Sequence, residues 1–238
     1  MDEDKLYIDE KLGDEPFRFD DSVARVFPDM LRRSIPGYAA SIEAIGSLAA
    51  RYVRAGTNCY DLGCSLGAAT LAMRQGIRVP DCRIVAVDNS EAMIDRCRRI
   101  VDDDDCIDLK LADISDIQIE NASMVVMNYT LQFLDVTARD EMVRRIADGL
   151  VEGGLFLLSE KVVDENAQLE KLLVELHHEH KRRNDYSELE ISRKRAALEN
   201  VLIPESVTCH KQRLAEAGFA HSAVWLRYFN FVSIVAIK

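Results

Sequence analysis

A strand that runs through a glycine turn into a helix constrains this chain more than any other feature. Residues 58–62 form an apolar run, the turn Gly63-Cys-Ser-Leu-Gly67 follows, and a helical pattern continues to about Gln75. The next apolar run, 83–88, ends in Asp88-Asn89. Glycines let a backbone approach a ligand because they carry no Cβ, and an acid at the next strand end accepts hydrogen bonds from ribose hydroxyls. The pattern therefore predicts a nucleoside site.

The order of residues in the turn favours one kind of nucleoside ligand. The pattern is Asp61-x-Gly63-x-Ser65-x-Gly67, whereas a dinucleotide turn has three glycines and binds a pyrophosphate at the helix N-terminus. The carboxylate before the first glycine would repel a pyrophosphate but suit a cation. S-adenosylmethionine (SAM) carries a sulfonium and an amino group, so the turn resembles the first motif of SAM-dependent methyltransferases. The alternative is an ordinary strand-to-helix turn with a capping serine.

Composition limits the size of the domain and the class of partner. With 238 residues, 48% of them hydrophobic, the chain suits one α/β domain, which we place at 21–238 after an N-terminal arm at 1–20. The net charge of −11 and the pI near 5.0 argue against a broad basic face for nucleic acid. A small anionic ligand would need a local cationic pocket instead. The longest apolar runs have strand length, so no membrane span is expected.

The cysteines and the N-terminus indicate a compartment. Six cysteines are scattered without C-x-x-C pairs, and the acidic start Met1-Asp2-Glu3-Asp4 is unlike a signal or transit peptide. Thiols in such a chain are expected to stay reduced, so we expect a cytoplasmic protein.

Hydrophobic periodicity predicts an alternation of strands and helices. The expected helices occupy 21–35, a stretch from Tyr38, a stretch to about 75, a stretch from about 90, 138–150 with a stop at Gly153-Gly154, an insertion at about 164–200, and 204–218 starting at Pro204. The expected strands occupy 58–62, 83–88, 107–111, 122–127, 155–158, 222–228 and 231–237. Near-continuous apolar strands suit a parallel sheet that is buried on both faces. We expect a Rossmann-like α/β fold with a seven-stranded methyltransferase sheet, an antiparallel last strand, an N-terminal lid and a helical insertion before the final hairpin.

Polar residues follow four consecutive strands of the expected sheet. They are Gly63-Cys64-Ser65, Asp88-Asn89, Asp113-Ile114 and Asn128-Tyr129. Ligands of open parallel sheets bind at the carboxyl ends of the strands, so these tips are expected to surround SAM. Asp88 would bind the ribose, Asp113 and Ile114 would contact the adenine, and Asn128 would face the methionine end. The alternative for Asp113 or Asn128 alone is a cap that starts a loop.

The helical insertion carries two groups of residues that each have two interpretations. His177-His178-x-His180 could bind a metal, but no third ligand cluster accompanies it, so packed histidines and no metal site are expected. Cations cluster at Lys181-Arg182-Arg183 and at Arg193-Lys194-Arg195. They could be a solvated helix face, or they could form a pocket for a carboxylate or phosphate.

Longer strings resemble one family. They are Asp61-Leu-Gly-Cys-Ser-Leu-Gly-Ala-Ala-Thr70, Asp88-Asn-Ser90, Glu120-Asn-Ala-Ser-Met124, Thr130-Leu-Gln-Phe133 and Tyr186-Ser-Glu-Leu-Glu-Ile-Ser192. From about Phe17 to Lys238 the chain resembles the carboxy-S-adenosyl-L-methionine (carboxy-SAM) synthases. By matching motif, the resemblance implies SAM contacts at Tyr38, Gly63, Cys64, Ser65, Asp88, Asn89, Asp113, Ile114 and Asn128. It also implies that Arg195 binds the new carboxylate and acts in catalysis.

The resemblance implies an enzyme that converts SAM and prephenate to carboxy-SAM and phenylpyruvate. A separate transferase would receive the product and make 5-carboxymethoxyuridine at the tRNA wobble position, without direct nucleic-acid binding by this chain. Family members are homodimers, so the insertion is expected to reach the partner subunit's site. Two alternatives stay open: a conventional SAM-dependent methyltransferase with a small anionic acceptor, and a non-catalytic SAM-binding partner of a tRNA-modifying enzyme.

Overall fold

The computed structural model describes residues 2–8, 17–101 and 104–238, so the N-terminal arm is described only at 2–8 and 17–20. The helices are α1 (Asp21–Ser34), α2 (Tyr38–Tyr52), α3 (Ala68–Gly76), α4 (Glu91–Val101), α5 (Arg139–Gly149), α6 (Ala167–Arg183), α7 (Glu188–Leu198) and α8 (Val207–Glu216). The strands are β1 (Asn58–Leu62), β2 (Arg83–Asp88), β3 (Ile107–Leu111), β4 (Ala122–Asn128), β5 (Leu150–Val163), β6 (Glu205–Ser206), β7 (His221–Tyr228) and β8 (Phe231–Ile237).

The strands form one mixed sheet, in the order β3-β2-β1-β4-β5-β8-β7, with β6 paired to the end of β5. The five strands from β3 to β5 are parallel to their neighbours, and β8 runs antiparallel to both β5 and β7. The chain order reverses direction across the sheet between β1 and β4. This arrangement confirms the predicted methyltransferase-like sheet with its antiparallel last strand, and it creates the crevice in which such sheets bind ligands.

The central strands are apolar throughout because helices cover both faces of the sheet. On β4, Val125 and Met127 pack into a core with α5 and α8, whereas Met124 and Val126 pack into a second core with α2 and α3. Successive residues of a strand point to opposite faces. A strand that is covered on both faces therefore has no polar alternation, as the sequence pattern indicated.

The fifth strand differs from the prediction. It begins at Leu150 and extends to Val163, whereas we expected a helix to about residue 150, a stop at Gly153-Gly154 and a strand only at 155–158. The helix ends at Gly149, where a Cβ would collide with the Ile119 carbonyl. Gly153 has φ +68° and lies in an irregularity where the pairing with β4 shifts. The glycines therefore shape a bulge at the start of a long strand.

The eighth helix also differs from the prediction, because it begins at Val207 and not at Pro204. Glu205 and Ser206 pair with Val162 and Val163 at the end of β5. The Ser206 hydroxyl accepts a hydrogen bond from the Cys209 backbone N–H at 3.1 Å and caps the helix. A two-residue pairing with a distant strand has no local signal in the sequence.

The N-terminal segments and the insertion cover the carboxyl edge of the sheet. Tyr7 and Phe17 are buried in a cluster with α1, and the Phe17 backbone N–H donates to the Ala197 carbonyl of α7 at 3.0 Å. The insertion consists of α6 and α7, and Ser187 and Glu190 form the capping box at the start of α7. Within the described residues, no helix combines the length and the apolar composition that crossing a membrane requires.

Candidate active site

A cavity of about 580 Å³ opens at the carboxyl ends of the parallel strands. Its volume falls in the range of roughly 300–1,000 Å³ that is typical of small-molecule sites. The nine residues that the resemblance assigned to SAM all line it: Tyr38, Gly63, Cys64, Ser65, Asp88, Asn89, Asp113, Ile114 and Asn128. The structure therefore brings the predicted strand tips together around one cavity.

The glycine turn supplies the floor of the cavity. Gly63 and Gly67 have φ angles of +83° and +82°, a left-handed conformation that glycine adopts without strain. A Cβ at Gly63 would overlap the Thr130 side chain, and one at Gly67 would lie 2.8 Å from Cys97 Sγ. The glycines are required because the backbone passes close to neighbouring side chains while it also lines the cavity.

Asp88 holds the turn and faces the cavity at the same time. Its Oδ2 accepts a hydrogen bond from the Ser65 backbone N–H and its Oδ1 accepts one from the Ser90 backbone N–H, each at 2.9 Å. Burial raises the pKa of Asp88, although these backbone hydrogen bonds act in the opposite direction. Each carboxylate oxygen keeps a second lone pair, so the group can also accept hydrogen bonds from ribose hydroxyls.

Asp61 brings a second carboxylate to the floor of the cavity, although it was not among the predicted contacts. It is almost fully buried, and its Oδ2 accepts a hydrogen bond from the Thr70 hydroxyl at 2.5 Å. Burial raises the pKa of Asp61 to about 6; hydrogen bonds from Thr70 oppose the shift, and the charge of Asp88 adds to it. A buried carboxylate without a cation is costly, so a cationic ligand part would be favourable here.

Asp113 and Asn128 both have a structural role and a place in the cavity wall. Asp113 caps the short 3₁₀ helix Ile114–Asp116 by accepting a hydrogen bond from the Ser115 backbone N–H at 2.8 Å. Asn128 ends β4, and its Oδ1 is buried without a hydrogen-bond partner among the described residues. An unpaired buried acceptor that faces a cavity is available for a ligand donor, such as an amino group.

Aromatic side chains form the wall opposite the glycine turn. Tyr38 follows Gly37 at the start of α2, and its ring centroid lies 6.5 Å from that of Tyr129. The Tyr129 ring in turn lies 6.0 Å from Phe231. Burial raises the pKa of Tyr38 and of Tyr129, so both stay neutral at physiological pH. This wall can pack against the apolar parts of ligands.

Lysines line the end of the cavity that lies beside β5 and the insertion. They are Lys161, Lys181 and Lys194. Lys181 and Lys194 belong to the two basic runs, whose other members point outward to varying degrees. Helical spacing accounts for their inward direction. Lys181 follows His177 by four residues and Lys194 follows Ile191 by three, so each lysine lies on the same helix face as a residue that is buried. Some members of the basic runs are therefore solvated, whereas Lys181 and Lys194 face the cavity.

Arg195 lies outside this cavity. It is exposed on α7 and is not part of the cavity lining, although its neighbour Lys194 is. Within one chain the structure therefore does not bring Arg195 together with the nine predicted SAM contacts. Successive residues of a helix point about 100° apart, so Arg195 is exposed while the neighbouring Lys194 lines the cavity.

His177 of the insertion packs against the end of α1. His177 is buried, and its Nε2 lies 2.9 Å from the Ser34 carbonyl oxygen. Burial, followed by the charge of Lys181, lowers the pKa of His177 to about 2, so it is neutral. Across residues 2–8, 17–101 and 104–238, no three histidine, cysteine or acidic side chains come close enough to hold a metal.

Known proteins resemble this chain in sequence and in fold. The family model described as "Methyltransferase domain" matches residues 60–154. The carboxy-SAM synthase of Escherichia fergusonii is 54% identical over 231 residues, which cover 96% of this chain and 93% of that protein. The carboxy-SAM synthase of Trichlorobacter lovleyi is 53% identical over 226 residues, which cover 93% of each chain. The chain belongs to the carboxy-SAM synthase family.

Structural comparison agrees on the fold. Human N-acetylserotonin methyltransferase, solved in complex with SAM, has a TM-score of 0.62 at 16% identity, over 100% of this chain and 60% of that chain. At this identity the likeness shows the fold alone. Membership of the carboxy-SAM synthase family confirms the resemblance found in the sequence, the expectation of an enzyme, and the expectation of SAM as substrate and carboxy-SAM as product.

Proposed function

We propose that this carboxy-SAM synthase takes its carboxyl group from prephenate, with phenylpyruvate as the second product. The observation that carries the proposal is the cavity itself. Its SAM-facing wall contains all nine predicted contacts, and its other end is lined by lysines that suit an anionic second substrate. A conventional methyltransferase with a small anionic acceptor would share these features, so the experiment below separates the two reactions by their products.

SAM would lie across the carboxyl ends of β3, β2, β1 and β4. Asp88 would accept hydrogen bonds from the ribose, and Asp113 and Ile114 would contact the adenine. The unpaired Oδ1 of Asn128 would accept a hydrogen bond from the methionine amino group, and buried Asp61 would offset its positive charge. These placements follow the order of the strands in the sheet.

The proposed chemistry balances without a base from the protein. As prephenate loses its ring carboxylate as carbon dioxide, the electron pair of the broken C–C bond aromatises the ring, and hydroxide leaves. Hydroxide removes a proton from the SAM methyl group, which the adjacent sulfonium acidifies, and water forms. The resulting ylide carbon bonds to carbon dioxide and becomes a carboxymethyl group. The largely apolar wall of the cavity would limit the access of bulk water to the ylide.

Arg195 would bind the new carboxylate from the other subunit of a homodimer. It is exposed and is not part of the cavity lining of its own chain, although its charge acts on Lys161 at the lysine end of that cavity. The insertion also exposes large apolar side chains: Leu169, Leu172 and Leu189 are each about half exposed. Exposed apolar residues on adjacent helices are typical of a surface that another chain covers.

The downstream part of the proposal follows from the resemblance. Carboxy-SAM would be handed to a separate transferase that modifies the tRNA wobble uridine, so this chain itself need not bind nucleic acid. We propose a cytoplasmic reaction, in keeping with the free thiols of all six cysteines.

Incubation of the protein with SAM and prephenate, followed by mass spectrometry, tests the proposal. Prephenate labelled with ¹³C in the ring carboxylate should give ¹³C-labelled carboxy-SAM and unlabelled phenylpyruvate in equal amounts. Formation of S-adenosylhomocysteine with no labelled carboxy-SAM would contradict the proposal and favour a conventional methyltransferase. SAM binding without any prephenate consumption would favour a non-catalytic SAM-binding protein.

Replacing Arg195 tests the assignment of the new carboxylate. Loss of one partner of a desolvated charge pair costs about 2–5 kcal/mol. Arg195→Ala should therefore weaken carboxy-SAM binding by at least about 30-fold while SAM binding changes little, as measured by calorimetry. Arg183→Ala, an exposed arginine on α6, serves as the control. Equal loss of affinity for both ligands would remove Arg195 from this role.

A further inference from the structure

The two ends of the cavity carry opposite charges. Its acidic residues are Asp61, Asp88, Asp113 and Asp135, and the first three lie at the carboxyl ends of β1 and β2 and just after β3. Its lysines are Lys161, Lys181 and Lys194, from β5, α6 and α7. The sheet order places β4, with Asn128 at its end, between the acidic strands and β5. A cationic ligand over β1–β3 would thus meet an anionic one beside β5, next to Asn128.

Two of the three lysines lack a partner. Lys181 is only 8% exposed and Lys161 is half-buried, and neither ammonium group forms an ion pair or hydrogen bond with the residues that the structure describes. Burial, and then the charges of Lys194 and Lys161, lower the pKa of Lys181 to about 7. Burial also lowers the pKa of Lys161; the charge of Glu170 opposes this shift and that of Arg195 adds to it. Desolvated cations that repel one another are costly, so an anion between them would be strongly favoured.

The third lysine is already compensated. Lys194 Nζ donates a hydrogen bond to Ser34 Oγ at 3.1 Å and lies 3.4 Å from the buried carboxylate of Asp4. Asp4 is held in place by the Asp29 side chain, which accepts its backbone N–H at 2.9 Å, and by the Tyr186 hydroxyl. The charges of Glu170 and Asp4 act on Lys161 and Lys181 respectively, but neither lysine is ion-paired with the described residues. Two cations therefore remain available for two carboxylates.

The surroundings of the lysines also suit a ring. Tyr129 and Phe231 line the cavity with them, and the Phe231 ring lies 4.8 Å from that of buried His177. His177 is neutral, so it adds no charge to the cluster. A flat six-membered ring can pack against these aromatic faces while carboxylates reach the ammonium groups.

We propose that Lys161 and Lys181 bind the two carboxylates of the second substrate and select a small cyclic dicarboxylate over a monocarboxylate. The inference rests on the proposed function, in which prephenate is such a dicarboxylate, and it names the residues that recognise it. Lys194 supports the site by completing the positive end, with Asp4 limiting its charge. The new carboxylate on SAM, in contrast, is assigned to Arg195.

Substitution of each lysine by methionine tests the inference, because methionine keeps the length of the side chain and removes the charge. Lys161→Met and Lys181→Met should each raise the KM for prephenate at least about tenfold, while the Kd for SAM changes less than about twofold. Lys211→Met, an exposed lysine on α8 outside the cavity, is the matched control and should change neither value. Lys181→Met should not lower the Tm, since it removes a desolvated, unpaired charge.

Two inert probes measure the charge requirement directly on SAM-loaded protein. 2-Phenylglutarate carries two carboxylates separated by three carbons, as in prephenate, and 4-phenylbutanoate carries one. The wild-type protein should bind the dicarboxylate at least about tenfold more tightly than the monocarboxylate. Each lysine variant should reduce this ratio of affinities. The inference would be overturned if both variants kept the wild-type KM for prephenate and the wild-type ratio of affinities for the two probes. If the wild-type protein failed to convert prephenate at all, the proposed function would fail, and the probe measurement alone would decide the inference.

Discussion

Asp61 holds a buried carboxylate that forms no ion pair with the described residues. It lies on the cavity floor, and burial raises its pKa to about 6. The Thr70 hydroxyl is its hydrogen-bond donor, and Asp88 is the nearby charge that acts on it. SAM would bring positive charge to this floor and favour the ionised form. The affinity for SAM should therefore depend on the protonation of this one group.

We expect SAM binding to weaken as the pH falls through about 6, because protonated Asp61 no longer attracts the cationic end of SAM. Asp61→Asn keeps an acceptor for Thr70 but has no charge. It should bind SAM about tenfold or more weakly at neutral pH, with a smaller pH dependence. Equilibrium dialysis of SAM between about pH 5 and 8 measures both effects, with the exposed Asp95→Asn on α4 as control. An identical pH dependence in Asp61→Asn and wild type would contradict this role.

Individual site residues differed in how far the sequence could predict them. Gly63 and Asp88 are identified by position, because a strand end brings its following residues to the sheet edge whatever the rest of the fold does. Lys161 was missed because only the packing of the insertion onto β5 makes its surroundings a cavity wall. Arg195 was assigned by resemblance, and its side chain is exposed and is not part of the cavity lining of its own chain.

Among the elements, β5 connects the site to the rest of the fold. Its residue Glu160 is almost fully buried, and its Oε1 accepts a hydrogen bond from the Leu131 backbone N–H at 3.0 Å, while Oε2 has no partner among the described residues. Burial raises the pKa of Glu160 to about 8, although the charge of Arg139 opposes the shift. This carboxyl group is thus mostly protonated in the folded protein at neutral pH.

Glu160 should make the free energy of unfolding fall as the pH rises. The pKa of Glu160 is about 8 in the folded state and 4.5 in the unfolded state. Between these two pH values the folded state binds more protons than the unfolded state, so the free energy of unfolding decreases as the pH rises towards 8. Glu160→Gln keeps the acceptor for Leu131 and cannot ionise. The free energy of unfolding of Glu160→Gln, measured in urea, should therefore increase relative to that of the wild type as the pH rises from about 5 to about 8. A constant difference across this range, like that expected for exposed Glu152→Gln on the same strand, would refute the account.

Element boundaries were predictable where local pattern determines them and not where pairing does. The strand at 58–62 and the capping box of α7 are local features, and the structure reproduces both. The predicted start of β5 was wrong because Gly153 can either end a helix or form a bulge in a strand. Which of the two forms depends on pairing with the neighbouring strand β4. The pairing of Glu205–Ser206 with β5 likewise depends on tertiary contact.

Across the whole molecule, a net charge of −11 coexists with a basic pocket. The overall charge disfavours nucleic acid, whereas the lysines concentrate positive potential at one end of one cavity. In the proposed function, exposed Arg195 completes the site of a partner subunit. The proposal can therefore be tested by mixing two variants that are each inactive alone.

Two inactive variants should restore activity to each other if Arg195 acts in the partner's site. Asp88→Ala removes the ribose contact and Arg195→Ala removes the carboxylate contact, so each homodimer should be inactive. A heterodimer would contain one site with both residues intact. After subunit exchange, the mixture should recover about a quarter of wild-type carboxy-SAM formation. No recovery despite heterodimers that are visible by native mass spectrometry would place Arg195 in its own subunit's site or in none.

The most direct test of the central claim is mass spectrometry of the small molecule released when the freshly purified protein is denatured. A protein whose cavity is built for carboxy-SAM should release an ion that is heavier than SAM by one carbon dioxide. Release of SAM or S-adenosylhomocysteine alone, followed by no carboxy-SAM after incubation with prephenate, would contradict the account and leave only a SAM-binding methyltransferase fold.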